Sequence, residues 1–161
     1  MTEVPLLGDD DGSIPIFDTC DEVRRKIKLF LKRVGVNQPG FLRGLARIRP
    51  KNKEYKGKTM SAASFQAFMK LRGPSAGAEK AIFYVAYVFF EKLRIRDGKP
   101  KTELREKVED VWGKYRDPTT GRWGFLINRK NLVCRDNEKI VEDKYGILRA
   151  VAKGMRWARS R

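Results

Sequence analysis

The sequence predicts a mainly α-helical protein: a compact bundle of about five helices followed by a small strand-and-turn appendage. Five stretches between residues 18 and 112 repeat apolar side chains every three or four positions, the spacing of one helix face. Beyond Gly113 the apolar residues form short groups separated by turn residues, which is typical of short strands. With 161 residues, 41% of them hydrophobic, the chain can bury a core in one domain with appendages.

Residues 1–17 are predicted to form a flexible acidic arm, because they carry Gly, Pro and Asp with little periodicity. The first helix is predicted to begin after Thr19, whose hydroxyl can cap it while Glu22 occupies the capping-box position. We expect its apolar stripe to continue to Val34 and the helix to end at Gly35. Four bases fall mostly on the opposite, solvated face: Arg24, Arg25, Lys28 and Lys32.

A second, short helix is predicted after Asn37, which is a good N-cap residue and precedes a proline that a first turn tolerates. Its buried face is expected to contain Phe41, Leu42, Leu45 and Ile48. A basic loop over residues 47–58 follows, in which Glu54 is the single acid. The bases of this loop are Arg47, Arg49, Lys51, Lys53, Lys56 and Lys58.

The third helix, predicted from Ser61 to Leu71, is the element on which the functional hypothesis depends. Ser61 can cap it, and its buried stripe is expected to contain Ala62, Phe65, Phe68 and Met69. The opposite face carries Ser64, Gln66, Ala67 and Lys70. Helices two and three are separated by more residues than the tight turn of a standard helix-turn-helix. The same pattern also fits an ordinary short core helix.

The fourth helix is expected over about residues 78–95 and is apolar on most sides, so it should be the central pillar of the fold. Thr102 opens a fifth helix that turns Trp112 inward. The predicted organisation is therefore the acidic arm, a helical domain over residues 18–113, and a basic C-terminal extension over residues 114–161.

The charge is strongly basic and unevenly distributed. The chain has 36 Lys and Arg against 20 Asp and Glu, a net charge of +16. Residues 1–17 carry −4, residues 18–73 carry +11 from 15 bases and 4 acids, and residues 74–112 carry +1. The remaining residues, 113–161, carry +8. This distribution indicates a surface that faces a polyanion rather than charge spread evenly for solubility.

Catalytic and metal-binding patterns are missing from the sequence. It has no histidine, and Cys20 and Cys134 are too few for a zinc site and look like reduced thiols of an intracellular protein. Glycine-rich phosphate loops and nucleophile elbows are also lacking. Neighbouring carboxylates on the fifth helix are expected to form ordinary solvated pairs with Arg105 and Lys107; they are Glu106, Glu109 and Asp110. The prediction is a protein that is not an enzyme and uses no cofactor or metal.

Several runs resemble a fungal domain family of unknown function. They are residues 17–27 (FDTCDEVRRKI), residues 83–101 and residues 105–113, with a looser match at residues 35–43. The resemblance covers about residues 16–113, and the family often carries the domain in tandem where this chain has one copy. It implies a helix-turn-helix-like fold and DNA binding, with no catalytic residues to carry over.

The functional prediction is phosphate-dominated binding to double-stranded DNA, with modest base readout from the third helix. Phosphates would be contacted by Arg24, Arg25, Lys28 and Lys32 of the first helix and by the six bases of the 47–58 loop. Base edges would be read by Ser64, Gln66 and Lys70. A DNA-binding protein of this kind is expected in the nucleus, in association with transcription or chromatin.

Two other binding functions remain open from the sequence. The basic face could bind an acidic protein, with the 47–58 loop as an adaptable contact. RNA is the other alternative, because Tyr115, Trp123 and Trp157 stand among bases and could stack unpaired nucleobases. The longest apolar run, residues 81–90, is too short to span a bilayer, so no membrane partner is expected.

Overall fold

The computed structural model describes residues 4–51, 54–55, 57–58, 60–117, 121–125 and 133–155. These residues contain five helices and one two-stranded sheet, which confirms the predicted mainly α fold with a strand-and-turn C-terminal part. The elements are α1 (Cys20–Leu31), α2 (Gln38–Ile48), α3 (Ala62–Lys70), α4 (Ala81–Arg96), α5 (Glu103–Trp112), β1 (Glu138–Glu142) and β2 (Leu148–Ala152).

Four of the five helices begin with a side-chain cap that the sequence predicts. In each, an oxygen of the N-cap side chain accepts a hydrogen bond from a backbone amide three residues on, which satisfies one of the free amides of the first turn. The four bonds are Glu22 N to Thr19 (3.3 Å), Gly40 N to Asn37 (2.8 Å), Ser64 N to Ser61 (3.1 Å) and Arg105 N to Thr102 (3.2 Å).

The centre of the fold is α4, which confirms the predicted pillar. Every residue of α4 from Ile82 to Leu93 is buried, and α1, α2 and α3 each pack against this helix. Phe89 and Phe90 meet Phe30 of α1 and Phe41 of α2 in a cluster of rings whose centroids lie 5.2–6.2 Å apart. Edge-on contacts of this kind add to the apolar area that the helices bury.

Two residues that the sequence predicts in the core are exposed, so these two predictions are wrong. Val34 is fully exposed, because α1 ends at Leu31 and the chain continues in tight turns that rotate Val34 into solvent. Ala62 is exposed because it is the first residue of α3, which rests on the core through Phe65 and Phe68 further along. The buried stripe predicted for α3 is therefore confirmed at these two phenylalanines.

The segment before α1 and the segment after α5 join in the core. Ile16 donates its amide to the Trp123 carbonyl at 3.1 Å, and its own carbonyl accepts from the Phe125 amide at 2.6 Å. A Cβ at Gly124 would lie 2.1 Å from the Ile16 carbonyl oxygen, so this close approach requires glycine. Ile16 and Phe125 are both buried in the main cluster, so the predicted boundaries at residues 17 and 113 do not delimit the packed core.

The C-terminal hairpin is antiparallel, with Ile140 paired to Ala150 in register. It is attached to α5 by the Trp112 indole, which donates to the Tyr145 carbonyl at 2.8 Å. The carboxylate of Asp143 accepts from the amides of Tyr145 and Ile147 and so shapes the turn between the strands. Among the described residues, none of the helices has the length and apolarity to cross a membrane.

Candidate nucleic-acid interface

The four candidate phosphate-binding residues predicted on the first helix lie in three different environments. Arg24 is buried, because its guanidinium donates to the carbonyls of Gly73 (2.6 Å) and Ala76 (2.7 Å) and pairs with Asp21 at 2.8 Å. It ties α1 to the turn that precedes α4, so its predicted place on the solvated face is wrong. Arginine reaches these carbonyls with a planar fork of donors, which helical periodicity does not reveal.

Arg25 is exposed but already neutralised. Its guanidinium makes two hydrogen bonds to the Glu22 carboxylate, at 2.7 and 2.8 Å, and these bonds raise the pKa of Arg25. Lys28 is exposed on the same helix and Lys32 is exposed at its C-cap. They are the two cations that remain available among the four predicted.

The basic loop after α2 is structured in its described part. Arg47 is exposed but lies in the last turn of α2, so the predicted start of the loop at residue 47 is wrong. Lys51 is exposed, while Arg49 is half-buried and donates to the Lys58 carbonyl. The ammonium of Lys58 lies 5.4 Å from the centre of the Tyr55 ring. Lys53 and Lys56, which the sequence also predicts as phosphate contacts, lie outside the described residues.

The candidate reading face of α3 is partly engaged within the protein. Gln66 is exposed, and its amide donates to the Gln38 side-chain oxygen at 3.1 Å, linking α3 to the first residue of α2. Ser64 is half-buried and donates from its hydroxyl to the Ser61 carbonyl at 3.0 Å. Lys70 is exposed at the end of the helix. One N–H of the Gln66 amide is therefore already engaged by Gln38.

Ion pairs divide the described bases into two regions. On α4, on α5 and between them, carboxylates neutralise the neighbouring bases: the pairs include Lys92–Asp9, Arg94–Glu91, Lys99–Asp97, Lys101–Glu109 and Lys107–Glu103. Residues 28–72, here called the basic segment, contain twelve Lys and Arg and one acid, Glu54, which pairs with Arg122 at 3.2 Å. In the described part of the basic segment, the cations without an ion pair are Lys28, Lys32, Arg33, Arg43, Arg47, Arg49, Lys51, Lys58, Lys70 and Arg72.

A cleft of about 370 Å³ gathers some of these cations, and we call it the basic cleft. Arg47, Arg49 and Lys51 line it, together with Lys92 of α4 and the acids Asp9 and Asp10. Lys92 is buried and pairs with Asp9. Sequence reasoning missed both Lys92 and the acids, because partners 83 residues apart leave no local pattern. The cleft can hold an anionic group against several cations at once.

The aromatic residues considered for stacking are half-exposed where described. Tyr115 is 44% exposed and Trp123 is 46% exposed, and the Arg116 guanidinium lies 6.0 Å from the Trp123 ring centre. Trp157 lies outside the described residues. Both described rings lie after α5 and outside the basic segment.

Comparison with known families places residues 14–100 in a domain of unknown function, DUF7726. The chain belongs to this family. The matched region is more than half of the chain, occurs once, and spans α1 to α4. It begins at Ile14, which agrees with the burial of Ile14 and Ile16 in the helical core of the DUF7726 domain. No curated protein and no solved structure matches the chain significantly.

Potential metal ligands and the Cys20 thiol can be placed in the described chain. No group of three potential metal ligands occurs among these residues, and burial raises the pKa of the Cys20 thiol, which disfavours the thiolate. Arg105 pairs with Glu109 on α5 at 3.8 Å, as the sequence predicts, but the pair is not solvated on the Arg105 side. Arg105 is buried and binds Glu91 of α4 at 3.1 Å, while Lys107 pairs with Glu103.

Proposed function

We propose that this DUF7726 protein is a non-enzymatic binder of double-stranded DNA, acting in the nucleus in transcription or chromatin. The observation that supports it is the contrast in charge neutralisation: the basic segment leaves ten described cations without an ion pair, while α4 and α5 neutralise theirs. Like charges that are held together without counter-charges repel one another, and a phosphate backbone supplies the missing anions.

The basic cleft gives the proposal its geometry. Arg47, Arg49 and Lys51 line one cavity at the end of α2, so a phosphate there meets several donors together. Further exposed cations are Lys28 on α1, Lys32 at the C-cap of α1 and Lys70 at the end of α3. Contacts of this kind give affinity and register without sequence preference.

Base readout is assigned to α3 in a helix-turn-helix-like arrangement. Gln66 is exposed there, and glutamine can bind adenine through two hydrogen bonds in the major groove. The connection between α2 and α3 spans residues 49–61, longer than a standard helix-turn-helix turn. Because one N–H of Gln66 is already engaged by Gln38, we expect modest specificity.

The test removes charge at the proposed surface and compares it with equal removal elsewhere. The test variant replaces Arg47, Lys51, Lys58 and Lys70 with Ala, all exposed. The matched control replaces four exposed lysines outside the basic segment: Lys99, Lys101, Lys107 and Lys114. Affinity for a fluorescent duplex is measured by anisotropy as salt is varied.

For about six phosphate contacts, log affinity should fall with log salt at a slope near −5, since each contact releases roughly 0.9 counterion. The test variant should lose about three to four units of that slope, and the control should keep nearly all of it. If both variants lose the same amount of slope, the effect is one of net charge and not of the basic segment. If the unchanged protein does not bind duplex DNA at low salt, the proposal is refuted. Single-stranded RNA and a polyglutamate peptide, titrated in parallel, test the two alternative partners.

A further inference from the structure

A second cavity, here called the apolar groove, lies between the α1–α2 connection and α2. It has a volume of about 480 Å³, within the range of about 300–1,000 Å³ common for ligand sites. Its floor contains three aromatic rings that are also part of the core: Phe30, Phe41 and Phe89. Phosphate groups gain nothing from such a floor, so the groove suits a different occupant from the basic cleft.

Gly44 keeps this groove open. It lies in the middle of α2 with an ordinary helical backbone, and a Cβ built on it would meet no atom within 4 Å. A glycine inside a helix costs about 0.5–1 kcal/mol relative to alanine, and packing within this protein does not require it. The missing side chain therefore leaves room for something that approaches α2 from outside.

The rim of the apolar groove is cationic. Arg43 and Arg47 stand on α2 at one-turn spacing, both exposed and both without an ion pair in the described chain. The described lining contains no acid, and the guanidinium of Arg33 lies 5.2 Å from the centre of the Phe30 ring. Val34, which precedes Gly35 of the lining in the sequence, is fully exposed, although valine normally favours burial. An apolar floor with a cationic rim complements an acidic segment that carries apolar anchors.

We propose that the apolar groove docks an acidic, amphipathic segment of a partner protein, whose apolar side chains enter beside Gly44 and whose carboxylates bind Arg43 and Arg47. This is the helix-in-groove mode of peptide recognition, in which apolar anchors supply affinity and charges at the rim supply orientation. The proposal does not depend on DNA binding, because the two cavities share only Arg47 among their lining residues.

The probe is a synthetic peptide of about twelve residues, with leucines at helical spacing and glutamates elsewhere. It is titrated into the ¹⁵N-labelled full chain, and the well-separated glycine amide signals report on Gly35, Gly40 and Gly44, which all line the groove. Two control peptides keep one feature each. The first keeps the glutamates and has serine in place of every leucine. The second keeps the leucines and has lysine in place of every glutamate. Only the complete probe should give saturable shifts at these glycines.

Two substitutions of Gly44 separate docking from folding. Gly44→Met fills the groove and should abolish the shifts that the complete peptide causes. Methionine is a good helix former, so the melting temperature should be equal or higher. The affinity for duplex DNA should be unchanged. Gly44→Ala is the matched control and should keep peptide binding within about threefold, because a methyl group fills little of the cavity. Arg43→Glu should weaken binding at least about tenfold through charge reversal at the rim.

The proposal is overturned if the complete peptide produces no saturable shift. It is equally overturned if the serine control shifts the same glycines as strongly, since charge alone would then explain binding. Undiminished binding to folded Gly44→Met would place the peptide elsewhere. If duplex DNA shifts the glycine amide signals and the peptide does not, the groove binds nucleic acid instead of a peptide.

Discussion

The buried ion pair between α4 and α5 allows a sharp stability prediction. The carboxylate of Glu91 accepts two hydrogen bonds from Arg94, at 2.9 and 3.1 Å, and two from Arg105, at 3.1 and 3.2 Å. Arg105 is only 6% exposed and also lies against the rings of Phe17 and Tyr87. Replacing Glu91 by leucine would keep the volume but remove the carboxylate to which this buried guanidinium is hydrogen-bonded, leaving it the longer pair with Glu109 at 3.8 Å.

Loss of one partner from a buried pair typically costs about 3–5 kcal/mol, and we expect Glu91→Leu to fall in that range. The double variant Glu91→Leu/Arg105→Met should regain most of the loss, because an apolar pair of similar size is nearly neutral. Glu103→Ala is the matched control: it breaks an exposed pair with Lys107 and should cost less than about 1 kcal/mol.

Urea denaturation at neutral pH measures all three variants, with the slope of each transition checking that unfolding stays two-state. Burial by itself would raise the pKa of Glu91, but hydrogen bonds from Arg94 and the charge of Arg105 outweigh it and hold the pKa below its usual range. The contribution of the Glu91 carboxylate to the free energy of unfolding is therefore complete above the pKa that this group has in the unfolded chain. It is lost as the pH falls through the lower pKa of the folded protein. A loss under about 1 kcal/mol for Glu91→Leu, or a double variant no better than the single one, would refute the reasoning.

Three further predictions follow from particular contacts. Gln66→Ala should change the free energy of unfolding by less than about 0.5 kcal/mol in urea, since Gln66 is exposed, yet it should flatten base preference when bound duplexes are selected and sequenced. Iodoacetamide should label Cys134 well before the buried Cys20 in the native protein, as peptide mass spectrometry would show; equal rates would contradict the burial of Cys20. Arg122→Leu should cost at least about 2 kcal/mol in thermal melts, because the buried guanidinium donates to the Gly12 carbonyl and the Tyr55 hydroxyl.

The sequence by itself determined the features whose physical cause is local. The caps at Thr19, Asn37, Ser61 and Thr102 were predictable because each side chain binds an amide three residues away. The pillar α4 was predictable because a helix that is apolar on most sides must be surrounded. The basic character of residues 28–72 is likewise a property of composition.

Only the tertiary structure decided which charges remain available. Arg24 and Arg105 look like solvated bases in the sequence, but one binds carbonyls about fifty residues away and the other a carboxylate on α4. Long side chains can be satisfied by any group that the fold brings within reach, and periodicity carries no information about that. The same holds for the junction of Ile16 with Gly124 and for the groove above Gly44, since both arise where separate segments meet.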